Sequence, residues 1–126
     1  MIISHKTFYE IKNYCLSNFP YESGGLITNT DSIIHIDSLR KDMLNYYPSF
    51  EFYKCLTRPL NLKYAFHSHL FSPDPSDNDL FFIKNYNIPI IIYSLKRNLF
   101  LSVNIEHEEI ITTRYIEEAG LWRTLH

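Results

Sequence analysis

The sequence predicts an α/β fold, a mixed β-sheet flanked by helices, and three observations carry that prediction. Short β-branched runs such as Gly24-Gly25-Leu26-Ile27-Thr28 and Ile90-Ile91-Ile92-Tyr93 have strand character. Two other stretches repeat apolar residues at the helical interval. The two kinds alternate along the chain with no Pro/Gly/Ser-rich linker between them, so a single domain over residues 1–126 is expected.

Ser4 can cap a helix, and Phe8, Ile11, Cys15 and Phe19 share one helical face, which predicts a helix over 5–18 ended by Pro20. Residues 24–28 and 32–36 form two strands around the turn-forming Asn29-Thr30-Asp31, placing Glu22 just before the first. The pattern over 37–60 is mixed. Asn45-Tyr46-Tyr47-Pro48 reads as a loop feeding a short helix over 52–56 that Pro59 stops, with Tyr46, Tyr47, Phe50, Phe52 and Tyr53 packing core and loop. Residues 62–66 alternate apolar and polar and run into His67-Ser68-His69, so both imidazoles lie on one side of a strand end.

Ser72-Pro73-Asp74-Pro75 forbids regular structure, because each proline disfavours helix in the residue before it. Ser76, with Asp79 three residues on, opens a second long helix over 76–85 that turns Leu80 and Ile83 to one face and Phe81 to the flank. Three more strands follow at 90–95, 99–103 and 109–115, the first two joined by Lys96-Arg97-Asn98.

Composition removes several functions. The net charge of −2 comes without a long run of either sign, which argues against nucleic acid as the partner. The longest strongly apolar stretch, 88–95, contains Pro89 and falls far short of the roughly 20 residues that span a bilayer, so no membrane association is expected. No leader pattern opens the chain, and the expected location is the cytoplasm. Cys15 and Cys55 sit in apolar surroundings and are read as reduced core thiols, not nucleophiles. His5, His35, His107 and His126 are read as ordinary polar side chains.

The chemistry lies in His67-Ser68-His69, the acids and serine of Ser76-Asp77-Asn78-Asp79, and the distant Glu22. Two histidines at i and i+2 on a strand can offer two imidazole nitrogens to one zinc ion, and a carboxylate from the next helix can supply a third ligand. Three protein ligands leave a position for water. A carboxylate that does not bind the metal can take the water's proton as it attacks a carbonyl, and Glu22 is the candidate.

These residues resemble the JAMM (MPN+) zinc metallopeptidases, whose signature is a distant glutamate, then His-x-His, seven residues, Ser, two residues and Asp. The resemblance implies a JAMM/MPN, cytidine-deaminase-like architecture with His67, His69 and Asp79 as zinc ligands. It makes Glu22 the general base and later acid, and Ser76 the hydroxyl that helps hold the oxyanion. Glu22-Ser23-Gly24-Gly25-Leu26-Ile27 is similar to the family's glutamate segment, and Pro89-Ile90-Ile91-Ile92-Tyr93-Ser94 to its strand after the second helix. Residues 45–52 look like the segment ahead of the histidines in prokaryotic and tailed-phage members. In some of those the domain precedes an NlpC-type cysteine peptidase; here the metallopeptidase half alone is expected.

Two departures concern the loop: six residues separate His69 from Ser76 where the family has seven, and Leu70 stands where proline is usual. Loops absorb such changes at small entropic cost, and Asp74 and Asp77 are the substitute ligands should the loop be rearranged. The implied activity is hydrolysis of a peptide or isopeptide bond in a protein substrate, either a ubiquitin-like modifier or a phage tail protein. The competing reading is a non-catalytic scaffold or partner-binding module of the same fold. A zinc nucleoside deaminase would need a Pro-Cys-x-x-Cys pair that Cys15 and Cys55 do not form.

Overall fold

Three helices and seven strands make up the computed structural model, which describes residues 3–57 and 61–125. In chain order they are α1 (His5–Ser17), β1 (Gly24–Thr28), β2 (Ile33–Ile36), α2 (Phe50–Thr57), β3 (Leu62–His69), α3 (Asp77–Tyr86), β4 (Ile90–Ser94), β5 (Leu99–Glu106), β6 (Glu109–Glu118) and β7 (Leu121–Leu125). The strands form one mixed sheet in the order β2-β1-β3-β4-β5-β6-β7. Every neighbouring pair is antiparallel except β3 and β4, which are parallel and joined through α3. The mixed α/β class expected from the sequence is therefore the class observed.

Side-chain alternation along the strands divides the core in two. On one face α1 packs Phe8, Ile11 and Cys15 against Ile27, Phe66, Tyr93, Phe100 and Trp122. The Phe8 and Phe100 ring centroids are 4.8 Å apart, and Trp122 meets Phe100 edge-on at 4.8 Å. Burying such rings stabilises the fold by roughly 1.5–3 kcal/mol each. On the other face α2 and α3 contribute Phe52, Cys55 and Ile83, against Leu26, Ala65, Ile90, Ile92, Leu101 and Val103. His67 and His69 continue the Ala65 row, so they emerge on the face that carries α2 and α3.

The Ser4 side chain caps α1 as expected, and the Asn18 backbone N–H closes its last turn on the Cys15 and Leu16 carbonyls. Phe19 falls beyond that cap and is exposed, so it does not extend the buried face of α1 as its spacing suggested. The Asp31 carboxylate accepts from Lys63 Nζ at 2.7 Å and the Ser4 backbone N–H at 3.0 Å, tying the β1–β2 turn to the start of α1.

The second helix begins at Phe50, earlier than periodicity implied, and the expected stop at Pro59 lies outside the described residues. Strands β5 and β6 run longer than expected, and β7 was not anticipated. A turn through Ala119 and Gly120, both at positive φ, reverses the chain and lets Trp122 enter the α1 core. No described helix is long and apolar enough to cross a membrane.

Candidate metal centre

The β1 and β3 strands bring Glu22 to the histidines. Gly24 pairs with His67 across the ladder, and a Cβ on Gly24 would stand 2.5 Å from the Phe66 carbonyl oxygen and 2.9 Å from His67 Cβ. Only glycine allows that approach. Just outside the ladder, the Ser23 N–H donates to the buried Ser68 Oγ at 3.1 Å and the Ser68 N–H to the Ser23 carbonyl at 2.9 Å. The Glu22 N–H donates to the Asp42 carbonyl at 2.8 Å, so its backbone is held from both sides.

The two histidine Nε2 atoms lie 3.0 Å apart at the end of β3. Asp79 faces both: Oδ1 is 3.2 Å from His67 Nε2 and Oδ2 is 3.5 Å from His69 Nε2. One ligand atom from each of the three residues lies within 4.8 Å of the others, a group that could hold a metal ion. Asp79 reaches this position because Ser76 starts α3 with a capping box. The Asp79 N–H donates to Ser76 Oγ at 3.1 Å, while the Ser76 N–H donates to Asp79 Oδ2 at 2.9 Å.

Outer contacts orient the imidazoles. His69 Nδ1 donates to the Ser72 carbonyl at 3.0 Å, and because a carbonyl only accepts, Nδ1 carries a proton and the neutral form of the ring offers its Nε2 lone pair to the centre. The loop that supplies this carbonyl is fastened at several points. Leu70 is buried, the Leu95 and Lys96 N–H groups donate to the His69 and Leu70 carbonyls, and buried Ser94 donates its hydroxyl to the Phe71 carbonyl. The Tyr46 ring stacks on His67 with centroids 6.2 Å apart, and its hydroxyl donates to the Ile36 carbonyl at 2.6 Å.

Electrostatics separates the two acids. Burial pushes the Asp79 carboxyl up, but the neighbouring His67 charge and hydrogen bonds from both histidines and the Ser76 N–H outweigh it, holding Asp79 far below the usual carboxylate range. Burial pulls the His69 imidazole down, but the Asp79 hydrogen bond and the Glu22 and Asp79 charges outweigh it and leave His69 above its ordinary value. Glu22 has no such hydrogen bonds among the described residues, and burial pushes it up to about 7 against the opposing pull of the two histidines. An ionised carboxylate thus lies near a carboxyl whose pKa is close to neutrality.

All five expected residues, Glu22, His67, His69, Ser76 and Asp79, line one cavity of about 620 Å³. Glu22 is not one of the three clustered donors. Ser76 Oγ accepts in the cap, which leaves its own hydroxyl proton to donate. Asp74 and Asp77, the substitute ligands, are exposed and stand outside the donor group.

Compared with known protein families and with curated proteins, the sequence matches none.

Sequence reasoning missed several participants. Ser94 carried a readable signal, a hydroxyl closing an otherwise apolar buried strand. Asp42 carried none, since the turn in which its carboxylate accepts the Leu44 and Asn45 N–H groups is set by the loop. Tyr46, Tyr47 and Tyr53 line the cavity and are not simply packing residues, whereas Phe50 points to solvent.

Proposed function

We propose that the chain is a JAMM-type zinc metallopeptidase that hydrolyses a peptide or isopeptide bond. The observation that carries this reading is the convergence of His67, His69 and Asp79 on one point of a cavity that also holds the buried, non-clustered Glu22. Two imidazole nitrogens and a carboxylate oxygen form a donor set that suits zinc, and the His69–Ser72 bond presents the nitrogen a metal needs. When bound, zinc supplies Lewis-acid chemistry, acidifying water and polarising a carbonyl.

The chain's own residues account for the proton and the charge. Glu22 takes a proton from the attacking water and returns it to the departing amine, a task for which a carboxyl near pKa 7 is suited. Ser76 donates its free hydroxyl proton to the oxygen that gains negative charge. His67, His69 and Asp79 hold the ion. Both cysteines are buried and neither lines the cavity, which favours direct attack by water over a thiol nucleophile. The substrate is a protein or peptide, with a ubiquitin-like modifier and a phage tail protein as the two candidates.

Metal analysis and proteolysis test this together. The purified chain should hold about one zinc, and chelator-reversible cleavage should appear on a modifier–peptide fusion or a tail-protein fragment. Unchanged zinc in both His67→Ala and His69→Ala would remove the reading.

A further inference from the structure

The lining of the cavity is of two kinds. Among the described residues that line it, Glu22, His67, His69 and Asp79 are the only acidic, basic or imidazole side chains, and all four belong to the centre. The remaining lining is apolar, aromatic or neutral polar. A ladder of rings leads outward from the centre between α2 and α3. Tyr46 stacks on His67, Phe52 lies 6.4 Å from Tyr46, Phe82 lies 5.7 Å from Phe52, and Tyr86 lies 5.0 Å from Phe82. At the mouth Leu44, Phe71 and Phe81 are 74%, 57% and 67% exposed, large apolar side chains left in water at the rim of one concave site.

We infer that the cleft takes an uncharged polypeptide segment carrying bulky apolar side chains beside the scissile amide, in preference to a Gly-Gly tail, a chain terminus or a phosphorylated ligand. The inference rests on the proposed peptidase reading for the position of that amide. The walls themselves give the rest. A terminal carboxylate or a phosphate seated in this cleft away from the centre would lose water and meet no cation along the described lining. A Gly-Gly tail would leave the half-buried Tyr46 and Phe82 rings, the exposed Tyr86 and the rim uncovered, whereas Leu, Met or Phe side chains would remove these surfaces from water. The volume suits several side chains and exceeds what two glycines fill.

Fluorescence anisotropy with three end-blocked decapeptides tests this on both the metal-free and the zinc-loaded protein, with Leu-Phe, Gly-Gly or Glu-Glu at the centre. The Leu-Phe peptide should bind at least tenfold tighter than the others. Phe81→Ser and Phe71→Ser, at exposed positions, should each weaken it about fivefold while leaving zinc content and thermal unfolding unchanged. Equal affinities, tighter binding of the Gly-Gly or Glu-Glu peptide, no measurable binding, or indifference to both rim variants would each overturn the inference. Selective binding without cleavage would uphold it and count against the peptidase reading; cleavage without side-chain preference would do the opposite.

Discussion

Gly24 and His67 face each other across the β1–β3 ladder so closely that a methyl on Gly24 would press on His67 Cβ at 2.9 Å, on the Phe66 carbonyl oxygen at 2.5 Å and on the Tyr46 ring at 2.8 Å. Three components of the site therefore depend on one absent side chain. Two of those neighbours are backbone and a strand Cβ, which cannot rotate away, so the strands themselves must part.

Gly24→Ala should consequently lower stability by about 1–3 kcal/mol and weaken zinc binding more than that loss of stability explains. Thermal unfolding and zinc stoichiometry of the same preparation check it. Full zinc occupancy in a destabilised protein would show that the close approach serves the sheet alone.

Glu22 is expected to be separable from the metal. It is buried in the cavity yet stands outside the three-donor group, and its backbone is fixed through Asp42, Ser23 and Ser68 whatever its side chain. Glu22→Gln keeps the shape and removes proton exchange, so zinc content should match wild type while turnover falls by about 10²–10⁴. Zinc lost together with activity would make Glu22 a ligand.

The elements that position this site were legible because their patterns are local. The Ser76–Asp79 spacing is a capping box, and the alternation through 62–66 places His67 and His69 on one side. The prolines at 73 and 75 precede the start of α3 and leave Asp79 in its first turn. What was illegible is non-local. The cavity wall joins Tyr46, Phe52 and Phe82 from segments whose meeting is decided by how α2 and α3 pack on the sheet. Strand β7 escaped notice because five residues beyond a tight turn have too little periodicity, and their role shows only when Trp122 is seen in the α1 core.

Asp31 gives a pH-dependent stability. Burial pushes its carboxyl up, but the Lys63 ammonium and the Ser4 N–H outweigh this and leave it below its ordinary value. A carboxyl whose pKa is lower folded than unfolded contributes stability above the unfolded value of about 3.9, and the contribution is lost as pH falls through the folded value. Asn tolerates the positive φ of 61° at this position, so Asp31→Asn removes charge without backbone strain. The variant should be less stable by about 0.5–1 kcal/mol at pH 7, with the gap closing below pH 4. Urea unfolding at pH 7 and pH 3 measures it; a gap that persists at pH 3 would mean the loss is not electrostatic.

The comparison of Asp79 with Asp77 tests the third ligand without disturbing the fold. Asp79 holds two positions at once, accepting the Ser76 N–H at 2.9 Å and facing His67 Nε2 at 3.2 Å. An asparagine can still accept the Ser76 N–H, so Asp79→Asn preserves the cap while withdrawing the anionic oxygen from the centre. Asp77 occupies the same helix turn and feels the same helix dipole but is exposed and outside the donor group, so Asp77→Asn controls for the general loss of negative charge near the site. Outer-shell substitutions already cost about 10–100-fold in metal affinity, so removing a ligand should exceed the top of that range. In a competition titration against a zinc-binding dye, Asp79→Asn should therefore lose more than about a hundredfold and Asp77→Asn less than about threefold. The reverse order would move the ligand to Asp77 and withdraw Ser76 from its oxyanion role, since both assignments follow from the same helix start.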